Sequence, residues 1–190
     1  MNKKAIIFFI IALILIIGGY FLVNYDFSNT ESQKENSNGY LLKDGFSIKI
    51  PEGWEETQAI TGISAMIIKK FEDHEEPELK NINFRSYFAV TYDKLNGKTI
   101  KQYAEYLEEE IVAVNSNFKV DKEEALIINA NESYVVEGSL SQQGADFKLL
   151  AVVIKGKEDG VWIVSFNTGK NDWDKYSGLV SETIMSFTVR

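Results

Sequence analysis

The chain opens with a run of 19 residues, from Ala5 to Val23, that contains no charged side chain. An α-helix of that length spans about 28 Å, close to the ~30 Å hydrocarbon core of a bilayer. The run is apolar on every side, whereas a helix on the surface of a soluble domain has a polar face. The sequence therefore predicts one N-terminal transmembrane helix. Residues 1–23 would be a signal-anchor that contacts the membrane through residues 5–23.

Charges around this run predict its orientation. Lys3 and Lys4 precede it, and mostly acidic residues follow it. Because basic residues stay on the cytoplasmic side, we expect a single-pass cell-membrane protein with a cytoplasmic N-terminus. The alternative is a secreted protein whose signal is cleaved near Gly19. The apolar run continues beyond that point to Val23, which favours a retained anchor, and in either case the rest of the chain is extracytoplasmic.

Composition divides the remainder into a linker and a domain. Residues 24–39 are rich in Asn, Ser and Glu and predict a polar linker, and residues 40–190 predict one folded extracytoplasmic domain. The chain has no Cys, which excludes disulfides, zinc–thiolate sites, iron–sulfur clusters and a cysteine nucleophile. Its net charge of -8 argues against a nucleic-acid partner.

The sequence of the domain predicts strands before and after one helix with a clear N-terminal capping pattern. Residues 45–50 alternate apolar and polar side chains and end at the turn Pro51-Glu52-Gly53. Thr99 and Gln102 form a capping-box pattern, which predicts a helix that ends near residues 115–117. Further strands are predicted at 64–71, 83–93, 118–124, 125–128, 133–139, 147–155 and 161–168.

The C-terminal third completes the predicted fold. Asp159-Gly160, between two apolar runs, predicts a β-hairpin. Asn171 or Asp172 would cap a last helix. The buried stripe of that helix would contain Trp173, Tyr176, Leu179 or Val180, Ile184 and Phe187. Short turns between consecutive strands favour antiparallel pairing, so we expect an α+β fold in which an antiparallel β-sheet is sandwiched between helices.

Two stretches of this sequence resemble the PsbP family. The first is residues 45–55, where a strand ends in Pro51-Glu52-Gly53-Trp54; the second comprises residues 151–155 and 160–166 with a terminal helix through residues 184–187. The resemblance implies a PsbP-like α/β/α fold, also found in a Ran-binding nuclear family. It implies a binding or stabilising module rather than an enzyme, and many bacterial members are membrane-anchored. No functional residue is carried over from the family.

Candidate chemical sites are few. The single histidine, His74, lies among acidic residues at 73–78, which could ligate a divalent cation, but we expect a solvated acidic loop. Glu108, Glu109 and Glu110 are expected on a helix surface, and Trp54, Trp162 and Trp173 in the core. A Ser-His-Asp triad would depend on His74 alone, with no nucleophile-elbow motif. We predict no catalytic, cofactor-binding or metal-binding residue and no cofactor.

These observations favour a membrane-tethered, extracytoplasmic, non-enzymatic module that binds or stabilises a protein partner at the cell surface. The alternative is a small-ligand binding protein with an apolar pocket between sheet and helix. Aromatic residues such as Trp162 and Tyr134 would line that pocket.

Overall fold

A computed structural model describes residues 39–59 and 62–190. The predicted anchor and almost all of the predicted linker lie outside the described residues. Within the described ranges, none of the helices is long and apolar enough to cross a bilayer.

Ten strands and three α-helices make up the described domain. The strands are β1 (Tyr40–Lys43), β2 (Phe46–Lys49), β3 (Trp54–Thr57), β4 (Ala65–Lys69), β5 (Tyr87–Lys94), β6 (Lys119–Ile128), β7 (Asn131–Gln142), β8 (Ala145–Lys155), β9 (Gly160–Gly169) and β10 (Thr188–Val189). The helices are α1 (Pro77–Asn81), α2 (Ile100–Val114) and α3 (Trp173–Met185), and a short 3₁₀ turn (Lys170–Asp172) precedes α3.

Seven of the strands form one antiparallel sheet in the order β3-β4-β5-β9-β8-β7-β6. The other three form a small antiparallel sheet in the order β1-β2-β10. Successive side chains of a strand point to opposite faces. The large sheet therefore presents two apolar faces, each of which must be covered.

The small sheet and α3 cover the first face. Its core contains Phe46, Trp54, Phe88, Phe166 and Phe187, each no more than 2% exposed. Helix α2 covers the β7–β8 side of the second face, and α1 with Phe84 covers its β4–β5 side. Burial of these two faces supplies the main apolar driving force for the fold.

The structure confirms the α+β class and the antiparallel sheet. It also confirms the capping box of α2, in which the backbone N–H of Gln102 donates to Thr99 Oγ1 and Gln102 Oε1 accepts from the backbone N–H of Thr99. The predicted hairpin at Asp159-Gly160 connects β8 and β9. The first face differs from the prediction, because a three-stranded sheet shares it with α3.

Other differences have local causes. The two strands predicted at 118–124 and 125–128 are one strand, β6, which carries a β-bulge between Val120 and Lys122. The predicted strand at 83–93 begins only at Tyr87. Asp172 precedes α3, but its carboxylate makes no capping hydrogen bond to the helix.

Candidate functional site

Two features of the described domain are candidates for function: a buried polar cluster and an open sheet edge. The buried cluster begins at Glu72, in the loop after β4. The side chain of Glu72 is fully buried, and its Oε1 accepts hydrogen bonds from Ser86 Oγ at 2.8 Å and from the Tyr176 hydroxyl at 2.6 Å. Its Oε2 accepts from the backbone N–H of Ser86. Because the Ser86 hydroxyl donates to Glu72, the Thr168 hydroxyl at 2.8 Å is the donor to Ser86.

The partners of Glu72 are held in their neutral forms. Burial, and then the hydrogen bond to Glu72, raise the pKa of Tyr176 well above its usual range. A buried carboxylate is tolerated only when donors satisfy its oxygens. Here a serine, a tyrosine and a backbone amide meet that requirement.

His74 is the second member of the cluster and is 3% exposed. Its Nδ1 lies 2.8 Å from Asp172 Oδ2, and its Nε2 lies 2.9 Å from the carbonyl oxygen of Phe84. A carboxylate and a carbonyl are both hydrogen-bond acceptors, so each ring nitrogen of His74 faces an acceptor. Glu72 Oε2 lies 3.8 Å from Nε2, so the carboxylates of Glu72 and Asp172 both lie beside this ring.

The expectation of a solvated acidic loop was therefore wrong for His74 itself. Asp73 and Glu75 are exposed, as expected, but the chain turns His74 inward. Three potential ligand atoms, one each from Glu72, His74 and Asp172, lie within 4.8 Å of one another. Both ring nitrogens already face oxygen acceptors, and a metal ligand needs a free nitrogen lone pair. The geometry is that of a satisfied hydrogen-bond network.

The other residues considered from the sequence occupy separate places. Glu109 is exposed and Glu108 and Glu110 are half-buried on α2, which agrees with a surface role. Trp54 and Trp162 are in the core, as expected, whereas Trp173 is half-buried and packs against that core. Trp162 packs on the small-sheet face, whereas Tyr134 packs on the α2 face. These two residues cannot line one pocket, so the ligand-binding alternative loses the aromatic pair on which it was based.

The open edge of the large sheet is the second candidate feature. Strand β6 is the outermost strand on its side, and every residue from Lys119 to Ala125 is exposed. Ile127 is 60% exposed, and an exposed aliphatic side chain on an edge strand favours pairing with another chain. An edge strand presents unpaired backbone N–H and C=O groups to solvent. The sequence predicts strand for these residues, but the position of a strand in the sheet depends on contacts that no local pattern encodes.

Charges distinguish the two halves of this edge. In the first half Lys122 pairs with Glu124, and Lys148 Nζ lies 2.8 Å from Asp121 at the bulge. The hydrogen bonds from Lys148 and Ser139 lower the pKa of Asp121. In the second half, residues 125–128 carry no charge at all. The edge therefore offers a neutral, apolar strand segment next to a charged one.

Carboxylates of α2 lie beside the edge. Burial raises the pKa of Glu108, and the nearby carboxylates of Glu123, Glu105 and Glu109 raise it further. Lys101 pairs with Glu105 at 3.5 Å. In the described part of the chain, no ion pair joins Glu108, Glu109 or Glu123 to a lysine or arginine. This flank carries uncompensated negative charge.

No family model matches the chain, and no curated protein matches it. Solved structures do resemble it. Cyanobacterial PsbP (CyanoP) of Synechocystis sp. PCC 6803 aligns with a TM-score of 0.57 at 14% identity, covering 89% of this chain and 99% of that one.

Two further solved structures have the same arrangement. LpqN, involved in cell envelope biogenesis of Mycobacterium tuberculosis, aligns with a TM-score of 0.58 at 11% identity over 77% of this chain and 86% of its own. The Saccharomyces cerevisiae Ran-binding protein Mog1p aligns with a TM-score of 0.53 at 12% identity over 76% of this chain and 90% of its own. Identities this low establish a shared fold and no shared activity. The described domain therefore has the PsbP-like α+β fold, which it shares with cyanobacterial PsbP, LpqN and Mog1p.

Proposed function

We propose that this chain is a membrane-tethered, extracytoplasmic, non-enzymatic module that binds a protein partner at the cell surface. The observation that carries the proposal is the open β6 edge, because an unpaired strand with an exposed aliphatic residue is a ready binding element. Mog1p, which shares the fold, is a Ran-binding protein. That supports partner binding as a use of this fold without naming the partner of this chain.

The membrane part of the proposal rests on sequence. The uncharged run at residues 5–23 is long enough to span a bilayer as a helix, and the basic residues before it favour a cytoplasmic N-terminus. Residues 24–39 then serve as a polar tether. Tethering raises the local concentration of the domain near partners in the same membrane.

The non-enzymatic part rests on how the chain's only histidine is used. Both ring nitrogens of His74 face oxygen acceptors, and both oxygens of Glu72 accept hydrogen bonds. General acid–base catalysis needs a group that can exchange a proton with substrate. A histidine with 3% exposure and two internal partners is better suited to stabilising a loop.

Fractionation of cells that express the full chain tests the location. We expect the chain in the membrane pellet after a high-salt wash, and we expect protease added to intact cells to remove the domain. Recovery of the full chain in the cytosol would contradict the tether. Secretion of a shortened chain would favour the cleaved-signal alternative.

Cross-linking in intact cells followed by affinity purification from solubilised membranes tests partner binding. The control carries residues 1–39 fused to an unrelated soluble domain. We expect a partner that is enriched over this control and that recovers the chain when the partner itself is purified. Absence of any such protein would overturn the binding function.

A further inference from the structure

The two edges of the large sheet are not equivalent. Strand β3, at one edge, has four residues, and its Glu56 pairs with Lys43 of the small sheet. Strand β6, at the other edge, has ten residues. Very short edge strands, bulges and charges are the usual protections against pairing with another chain. The β3 edge is short, whereas β6 has protection over only part of its length.

The protected part of β6 is its first half. There the bulge at Asp121 interrupts the ladder, and Lys122 contributes an edge charge. From Ala125 to Ile128 the strand pairs regularly with β7 and carries no charge. Only Ile128 of this stretch is buried, and Ile127 is mostly exposed. An added strand would therefore meet regular backbone and an aliphatic contact at this half.

The carboxylates around residues 125–128 favour a bound segment that is positively charged. Glu123 precedes it on β6 and lies near Glu108 of α2, and neither has a cationic partner in the described ranges. Glu132, which lies opposite Ile127 on β7, reaches Lys155 only at 4.0 Å. Repulsion among these carboxylates decreases when a cation approaches.

We infer that the outer edge of β6 accepts an extended, lysine- or arginine-rich segment of a partner protein as an eighth strand of the large sheet. The inference rests on the proposed function and names the class of partner. The backbone of the added strand pairs with β6, an aliphatic residue of the segment covers Ile127, and its cations face Glu108 and Glu123. Electrostatic attraction of this kind also makes binding weaken as salt rises.

The test uses the full chain in nanodiscs of neutral phosphatidylcholine. The probe is a blocked nine-residue peptide of alternating lysine and valine, and the matched control peptide alternates glutamate and valine. We expect fluorescence anisotropy to detect binding of the lysine peptide only. We also expect the lysine peptide to slow hydrogen exchange in β6 and to leave exchange in β3 unchanged.

Two pairs of variants locate the contact. Glu123→Lys and Ile127→Asn should each weaken binding of the lysine peptide at least tenfold, the first by reversing a charge and the second by removing the aliphatic contact without adding a charge. Glu52→Lys and Phe71→Asn make the same kinds of change at exposed positions outside β6, where Phe71 is 88% exposed, and should leave binding within twofold. Circular dichroism on all four variants confirms that each one is folded.

Several results would overturn the inference. The first is equal binding of the two peptides. The second is binding of the lysine peptide with no change in hydrogen exchange in β6. The third is unchanged affinity of the Glu123→Lys variant for the lysine peptide. Concentration-dependent dimerisation that protects β6 would show that the occupant is a second copy of the chain. If the cross-linked cellular partner is recovered equally by wild type and Ile127→Asn, the proposed function stands and the edge site fails. If wild type recovers no partner, the proposed function fails whatever the peptide does.

Discussion

His74 Nδ1 lies 2.8 Å from Oδ2 of Asp172, which is 98 positions later in the chain. This contact ties the loop after β4 to the turn that begins α3. Since Nε2 of the same ring meets the carbonyl oxygen of Phe84, the histidine joins three separate segments. The contacts of this ring therefore help to hold the loop in place. The helix in this loop, α1, has just five residues.

Both ring nitrogens of His74 should contribute to stability. Each faces an oxygen acceptor in a buried position, so removal of the ring leaves two acceptors without their partner. His74→Ala should therefore lower the free energy of unfolding by about 1–3 kcal/mol. Glu75→Ala, at an exposed position of the same loop, is the control and should stay within about 0.5 kcal/mol of wild type in urea unfolding. Equal effects of the two variants would show that the contacts of His74 contribute nothing specific.

Asp172→Asn should destabilise the domain. The change removes the charged partner of a buried ring, and loss of such a hydrogen bond costs about 1–3 kcal/mol of unfolding free energy. Asp174→Asn is the matched control, since Asp174 is an exposed acidic residue in the first turn of α3. Urea unfolding should place this control within about 0.5 kcal/mol of wild type. Equal effects of the two variants would show that the carboxylate acts only on the helix terminus.

Gly45→Ala and Gly178→Ala should have opposite effects on stability. Gly45 has a φ of +89°, and a Cβ there would lie 2.8 Å from the ring of Trp162. We expect a loss of about 1–3 kcal/mol from strain and overpacking. Gly178 lies in α3 with open space around it, so alanine should stabilise the domain by about 0.5–1 kcal/mol. Thermal and urea unfolding measure the stability of both variants. Destabilisation by Gly178→Ala would contradict the expectation that a methyl group at this position meets no other atom.

Tyr103 should make the domain sensitive to alkaline pH. Burial, then the 2.7 Å hydrogen bond to Asp93, raise its pKa far above the unfolded value of about 10. Its folded form stays protonated while the unfolded chain ionises, so its contribution is complete below about pH 10 and is lost as pH rises further. The loss is at most about 1.4 kcal/mol per pH unit.

Tyr103→Phe tests this dependence. It should cost about 1 kcal/mol at neutral pH, through loss of the hydrogen bond. Above about pH 10 its unfolding free energy should fall less steeply than that of wild type, because one ionising group is gone. Urea unfolding at several alkaline pH values measures the slope. Parallel curves for the two proteins would mean that Tyr103 ionises equally in both states.

Local patterns predicted the parts of the fold that depend on near neighbours. The capping box of α2 needs only Thr99 and Gln102, and the hairpin at Asp159-Gly160 needs only its turn. Strands β1, β3 and β10, each of two to four residues, were not predicted. The pairing of β1 and β10 with β2 joins Tyr40 to Lys49 and Thr188 to Ser47, and no local periodicity signals such contacts.

The buried cluster could not be predicted for a similar reason. Asp172 has the sequence pattern of a helix cap, but its carboxylate contacts His74 instead of the helix. The two residues are 98 positions apart in the chain. The Phe84 carbonyl accepts from His74, and β5 begins only after it, at Tyr87. The edge position of β6 was also hidden, because strand order depends on the topology of the whole sheet.

The small sheet has a mechanical consequence. Strands β1 and β10 both pair with β2, on opposite sides of it, so the first and last strands of the described domain lie about 10 Å apart. A pulling force applied between residues 40 and 189 would act on two short ladders rather than on the seven-stranded sheet. Under load the small sheet should separate first, which would expose Trp162, whose ring packs against Phe46 and Phe187, while the larger sheet stays paired.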